Sequence, residues 1–168
     1  MSAEEIKRIY EAYFDQILRY LQKRIRSEEM ALDLAQDTFV QALKYYQKNK
    51  IKNERAYIFK CAYHTLVTHQ KKKGRFEEES LSSEQAGRFV DQDFKLLREG
   101  MNQLLQKEDV YLYEIFGLRV DYQLTHDEIA EVTGKSKSTV RRSFDKIQTL
   151  LYNEFKDDLN IQLGAERD

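Results

Sequence analysis

A chain of 168 residues has room for one ordinary domain or two small ones. With 41% hydrophobic, 34% charged and 12% aromatic residues it is too polar for a membrane protein and too apolar for a disordered one. The lack of Pro and the presence of only 6 Gly disfavour a turn-dense sandwich or barrel and favour long helices, and a net charge of −1 points by itself to no partner. In chain order, Ile6, Ile9, Tyr10, Tyr13, Phe14, Ile17, Leu18, Leu21 and Ile25 recur at helical spacing and predict a first helix over residues 3–26. Ser27, followed by Glu28 and Glu29, is the N-cap expected for a second helix running to Gln47. That helix is expected to bury Met30, Ala31, Leu34, Ala35, Ala42, Leu43 and Tyr46. Residues 48–54 break the pattern and read as a loop. A third helix follows with Ala56, Phe59, Ala62, Tyr63, Leu66 and Val67 inward, ending in Lys71–Lys73 and Gly74. Residues 75–93, rich in Glu and Ser with no sustained period, read as a flexible linker. Helical spacing resumes through Phe94, Leu97, Met101, Leu104 and Leu105, and again from Asp109 to Tyr122.

The stretch from Leu124 to Phe144 carries the most information. Thr125 with Glu128 three residues on forms a capping box. Ile129, Ala130 and Val132 are expected inside, and Gly134 supplies a turn that needs positive φ. Ser136 or Ser138 caps the next helix, whose buried stripe is Val140, Phe144, Ile147 and Leu151. Its exposed start bears Lys137, Ser138, Arg141 and Arg142, side chains that reach guanine edges and phosphates when a helix enters the major groove. This is the pattern of a DNA-binding helix-turn-helix.

Charge is uneven along the chain. Residues 51–76 hold seven Lys and Arg against Glu54, a net of +6; residues 77–93 sum to −5, and residues 135–146 return to +4. Two basic segments flanking an acidic one suit a protein that touches nucleic acid at two places. No run approaches the roughly 20 apolar residues of a membrane span. The acidic start Met-Ser-Ala-Glu-Glu-Ile is not expected to be a secretion signal, so a cytoplasmic protein is expected. The single cysteine, Cys61, excludes an internal disulfide. Cys61 and His64 share a helix side at i,i+3, but His69 falls about 140° away from His64 on a helical wheel. No metal site, cofactor or catalytic pair is expected there; Cys61 reads as a small buried hydrophobe, and the chain as no enzyme in its own right.

Residues 9–21, Ile-Tyr-Glu-Ala-Tyr-Phe-Asp-Gln-Ile-Leu-Arg-Tyr-Leu, and 31–43, Ala-Leu-Asp-Leu-Ala-Gln-Asp-Thr-Phe-Val-Gln-Ala-Leu, resemble the first conserved region of bacterial sigma factors of the extracytoplasmic-function group. Residues 55–73, Arg-Ala-Tyr-Ile-Phe-Lys-Cys-Ala-Tyr-His-Thr-Leu-Val-Thr-His-Gln-Lys-Lys-Lys, resemble the promoter-melting helix of the same domain, and 124–144 resemble its second DNA-binding domain. The resemblance covers about residues 5–152 and implies an all-α chain of two small helical domains joined by an acidic linker: 1–74 and 94–168, with the linker at 75–93.

By that resemblance, Asp33, Gln36, Asp37 and Phe39 would dock on the clamp helices of core RNA polymerase, with Phe39 an aromatic anchor. The core reading of Phe39 stands beside it. Lys60, His64 and Thr68, four residues apart on one ridge, and Lys71 beyond them would meet the minus-ten element, and loop 48–54 would hold a base flipped from the stack. His64 stands where the family often has Asn, and Tyr57 where it usually has Trp, a packing position. Lys137, Ser138, Thr139, Arg141, Arg142 and Ser143, with Lys146 for phosphate, would read the minus-thirty-five element, while the domain would also meet the polymerase flap. Glu77, Glu78 and Glu79 in the linker would either thread the RNA path or merely tether. The partners implied are core polymerase, promoter DNA and an anti-sigma factor that in relatives often holds the protein at the membrane's inner face. The competing readings are a free-standing helix-turn-helix regulator, which needs no second basic helix, and a protein-binding decoy, which would tolerate loss of Arg141 and Arg142.

Overall fold

The computed structural model describes residues 1–73 and 92–166, with side chains over 1–72 and 95–157. The linker carrying Glu77, Glu78 and Glu79 therefore lies outside the described residues. Among the described residues the chain forms seven helices and no strand: α1 (Ala3–Gln22), α2 (Glu28–Tyr46), α3 (Glu54–Lys73), α4 (Gln92–Glu108), α5 (Val110–Val120), α6 (His126–Thr133) and α7 (Lys137–Glu166). Contacts divide it into two compact units, Met1–Ala86 with Glu131–Gly134, and Gly87–Ala130 with Lys135–Asp168.

Helix starts are set by short polar side chains that take up orphan N–H groups. Ser2 Oγ accepts from Glu5 N while Glu5 returns a carboxylate oxygen to Ser2 N, a reciprocal cap on α1. Ser27 Oγ accepts from Met30 N, as expected for α2. Asn53 Oδ1 accepts from Ala56 N at 3.0 Å. That cap starts α3 at Glu54, so the connecting loop is residues 47–53 and Glu54 belongs to the helix. The first helix ends at Gln22, short of the expected residue 26, although Ile25 beyond it remains buried.

In the first unit α1, α2 and α3 pack on one another. Ile9, Ile17, Tyr20 and Leu21 of α1 meet a core in which α2 and α3 contribute small residues, Ala31, Ala35, Ala42, Ala56 and Ala62, all fully buried. Such residues let helix backbones approach closely. The larger volume comes from Ile58, Phe59 and Leu66, with Tyr20 and Phe59 edge to face at 5.9 Å. Met30, Leu43 and Tyr46, expected inside, are half-buried. The unit is also tied across its surface: Arg8 makes a forked ion pair with Glu54, Nη2–Oε1 2.6 Å and Nη1–Oε2 3.2 Å, which links α1 to the first turn of α3.

The second unit is organised around α5, which packs on α4 and α7. Leu112, Glu114, Ile115, Phe116, Gly117 and Leu118 are all buried, covering most of the α5 circumference, as expected of a central helix. Arg98 of α4 forms two 3.0 Å bonds to Asp121, just past α5, and its guanidinium lies 4.8 Å from the Phe116 ring centroid. Gly100 of α4 lies against Phe155 of α7: a Cβ there would stand 3.2 Å from the Phe155 ring. At Phe155 the α7 backbone departs from helical values, with φ −116° and ψ 15°.

Candidate nucleic-acid interface

The α3 helix buries Ala56, Ile58, Phe59, Ala62 and Leu66, which leaves Lys60, His64, Thr68 and Lys71 exposed. The first three form one ridge because residues four apart stack along a helix. A cation, an imidazole and a hydroxyl along this line offer donors and acceptors to phosphates and to the edges of unpaired bases. The helix is held from behind by packing and at its start by the Asn53 cap and the Arg8–Glu54 fork.

Beside the start of α3 lies an aromatic group whose exposed member the spacing argument did not single out. Tyr57 stacks on Tyr45 at 4.7 Å and 20°, and meets Tyr46 edge-on at 6.0 Å. Tyr57 thus has the packing role expected of it, while Tyr45 is 44% exposed. Burial pushes the Tyr57 and Tyr46 hydroxyls well above their ordinary range. The adjoining loop presents Lys48, Lys50 and Lys52 to solvent. A signal was present, the pair Tyr45–Tyr46 directly before a lysine-bearing loop, but periodicity alone assigns one tyrosine inward and says nothing of the other.

The expected capping box opens α6: Thr125 Oγ1 accepts from Glu128 N and Glu128 Oε1 accepts from Thr125 N, both at 3.1 Å. Ile129, Ala130 and Val132 are buried. Gly134 has φ +73°, the left-handed conformation that a side chain resists. Ser136, the first of the two candidate caps, accepts from Thr139 N at 3.1 Å and starts α7. Val140, Ile147 and Leu151 are buried; Phe144 is half-buried and stacks on His126 at 4.6 Å, joining the first turn of α6 to the second turn of α7.

On the outer side Lys137, Ser138, Arg141, Arg142 and Lys146 are all exposed. Thr139 and Ser143 are not presented in the same way. Both are half-buried; the Thr139 hydroxyl is bonded to Ser136 Oγ at 2.9 Å, and Ser143 Oγ donates to Thr139 O at 2.8 Å. Their short side chains are already spent on the helix's own cap and backbone. The cations also differ from one another. Lys137 Nζ lies 3.1 Å from Asp127, Lys146 Nζ lies 3.7 Å from Glu108, and Arg142 donates to Ser138 O at 3.4 Å.

On α2, Asp33, Gln36 and Asp37 are exposed. Phe39 does not share that face. It is 3% exposed, with its ring 5.4 Å from Tyr10 and 5.6 Å from Phe14 of α1, because its position on the α2 wheel points it at the α1 seam. The aromatic-anchor expectation is corrected accordingly: Phe39 supports the α1–α2 packing from inside. The large exposed hydrophobic side chains of these two helices are Tyr10, Leu32, Val40 and Tyr45.

Cys61 is a free, buried thiol, 8% exposed, and burial pushes its pKa up while a hydrogen bond from Tyr57 works the other way. A protonated, covered thiol is a poor nucleophile. His64, three residues on along the helix, faces solvent. Among the described residues no group of three or more His, Cys, Asp and Glu is arranged to hold a metal ion, and no helix is long and apolar enough to cross a membrane.

Among the described residues, an all-helical architecture with a basic ridge on α3 and a capped helix-turn-helix at α6–α7 has the makings of a DNA-binding protein. Residues 9–76 match the family description sigma-70 region 2. The RNA polymerase sigma factor YlaC of Bacillus subtilis (strain 168) is 30% identical over 151 residues, covering 85% of this chain and 87% of that protein. A solved structure of an RsbN–BldN complex aligns over 90% of this chain and 92% of that one, at 20% identity and a TM-score of 0.37. The chain belongs to the RNA polymerase sigma factors, in the extracytoplasmic-function group.

Proposed function

We propose that the chain directs core RNA polymerase to its promoters through two separate contacts, one for each basic face. The α3 ridge of Lys60, His64 and Thr68, continued by Lys71, meets the minus-ten element. The start of α7, through Lys137, Ser138, Arg141 and Arg142 with Lys146 on phosphate, meets the minus-thirty-five element. Thr139 acts there by holding the cap that aims its neighbours. The exposed Asp33, Gln36 and Asp37 engage the polymerase clamp helices, and the second unit engages the flap. On this reading the first contact belongs to a domain over residues 1–74 and the second to one over residues 94–168.

Opening of the duplex follows from differential binding. A face that holds unpaired bases better than paired ones shifts the equilibrium toward the melted form, with no nucleotide hydrolysis. The chain contributes binding and strand capture, and bond formation belongs to the polymerase. An anti-sigma partner that covers the exposed α2 carboxylates completes the proposal. Such a partner, where membrane-anchored, would hold an otherwise cytoplasmic chain at the inner face of the membrane.

The observation that carries this reading is the exposure of both basic faces on helices already fixed by caps and packing. A free-standing helix-turn-helix regulator has no use for the first of them. Reconstitution with core polymerase on a library of randomised promoters tests it. Selection of two conserved blocks with initiation downstream is the expected result; failure to associate with core polymerase overturns it.

A further inference from the structure

Four cations, Lys137, Arg141, Arg142 and Lys146, make up the exposed basic surface along the first half of α7. The structure gives them unequal freedom. Lys137 is held by Asp127 from the first turn of α6, at 3.1 Å with both side chains about equally exposed, 62% and 61%. Lys146 is held by Glu108 from the last turn of α4, at 3.7 Å. Arg142 is turned back on its own helix, donating to Ser138 O at 3.4 Å and Thr139 Oγ1 at 3.5 Å. Arg141 is the one of the four with no such bond or ion pair among the described residues.

We propose that Asp127 and Glu108 act as anionic competitors of DNA phosphate, so that they set how tightly this face binds any duplex. This inference rests on the helix-turn-helix being the duplex-binding face. Each carboxylate sits at one end of the basic surface, on a different helix from the lysine it holds. A phosphate that takes Lys137 or Lys146 must displace it, and the displaced carboxylate stays near the phosphate as a like charge. Lysine neutralisation of phosphate supplies the sequence-independent part of DNA affinity through counterion release. Two of the four cations are therefore partly neutralised in advance, and Arg141 is left as the group that meets DNA without exchanging a partner. The free chain is held to weak binding of arbitrary sequence, and useful affinity arises only when further contacts are made at the same time.

The test uses the full chain and a random-sequence duplex of about 30 base pairs, with affinity followed by fluorescence anisotropy across a potassium chloride series. Asp127→Asn and Glu108→Gln each are expected to tighten binding about two- to fivefold at low salt, the scale of an exposed ion pair. The gain should shrink as salt rises, because exposed charges are screened over about 8–10 Å near physiological ionic strength. The gain from Asp127→Asn must vanish in a Lys137→Ala background, and that from Glu108→Gln in a Lys146→Ala background. Glu154→Gln, an exposed α7 position away from the basic surface, removes the same charge and should leave affinity unchanged. An equal gain in Glu154→Gln, or a gain that survives loss of the paired lysine, shows a mere net-charge effect and overturns the proposal. If Arg141→Ala weakens binding while Asp127→Asn and Glu108→Gln change nothing, the competitor role falls and the duplex-binding face stands. If none of the α7 variants alters binding, both fall.

Discussion

Phe39 illustrates how one residue's role turns on a few ångströms of burial. A surface aromatic and a core aromatic look alike in a helical pattern, but only the second loses contacts with Tyr10 and Phe14 when truncated. Phe39→Ala is therefore expected to cost about 3–5 kcal/mol in urea unfolding, the usual range for a buried Phe. Asp37→Asn, on the exposed side of the same helix, should stay within about 0.5 kcal/mol. Equal and small effects would return Phe39 to the surface. Cys61 supplies a pH-dependent counterpart. Its folded-state pKa is raised by burial, so the folded chain favours the neutral thiol. The stabilisation is complete below the unfolded thiol pKa of about 8.5 and is lost as pH rises through the higher folded value. Cys61→Ala should flatten the loss of stability on the alkaline side in thermal melts between pH 7 and 10. An unchanged slope would remove the thiol as its source.

At the scale of elements, the helix-turn-helix is defined by its boundaries. Thr125–Glu128 and Ser136 end the orphaned N–H groups of α6 and α7, and Gly134 turns the chain between them. A Cβ on Gly134 would meet nothing within 4 Å. Its substitution therefore isolates the backbone cost: Gly134→Ala should destabilise by about 1–2 kcal/mol through φ +73° alone. Gly134→Asn should cost less, since Asn tolerates the left-handed region. Indistinguishable Ala and Asn variants would point to a cost from some other source. These elements were legible because they rest on local chemistry: cap residues, three- and four-residue spacing and one glycine. What was not legible is equally instructive. The α3 start at Glu54 follows from a single Asn53 hydrogen bond inside a loop-like run of Lys and Asn, and the bonds of Thr139 and Ser143 to their own helix cannot be told from residue type.

At the scale of the whole molecule, the proposed function gives each of two basic faces its own block of promoter DNA. Arg141→Ala is expected to weaken binding and relax base choice by about 1–3 kcal/mol in the upstream block of a promoter selection. His64→Ala should act on the downstream block instead. Because sites without shared partners add within about 0.3–0.5 kcal/mol, the double variant should lose the sum in holoenzyme binding. A strongly non-additive result, or both variants acting on the same block, would contradict the division of labour. The order of the motifs along the chain was enough to recognise the family. The share of the candidate site that emerged only in three dimensions is the pairing of its charges.

Amphipathic period, caps, Gly134 and the alternation of basic and acidic segments determined the helical class, the helix-turn-helix and the exposed ridge of α3, since each depends on residues within a few positions of one another. Tertiary structure alone decided that Phe39 faces Tyr10 and Phe14, that Tyr45 lies open beside Tyr57, and that Asp127 and Glu108 hold Lys137 and Lys146. Those facts join side chains on different helices. Which groups meet there depends on how helices pack, and a one-dimensional period carries no record of it.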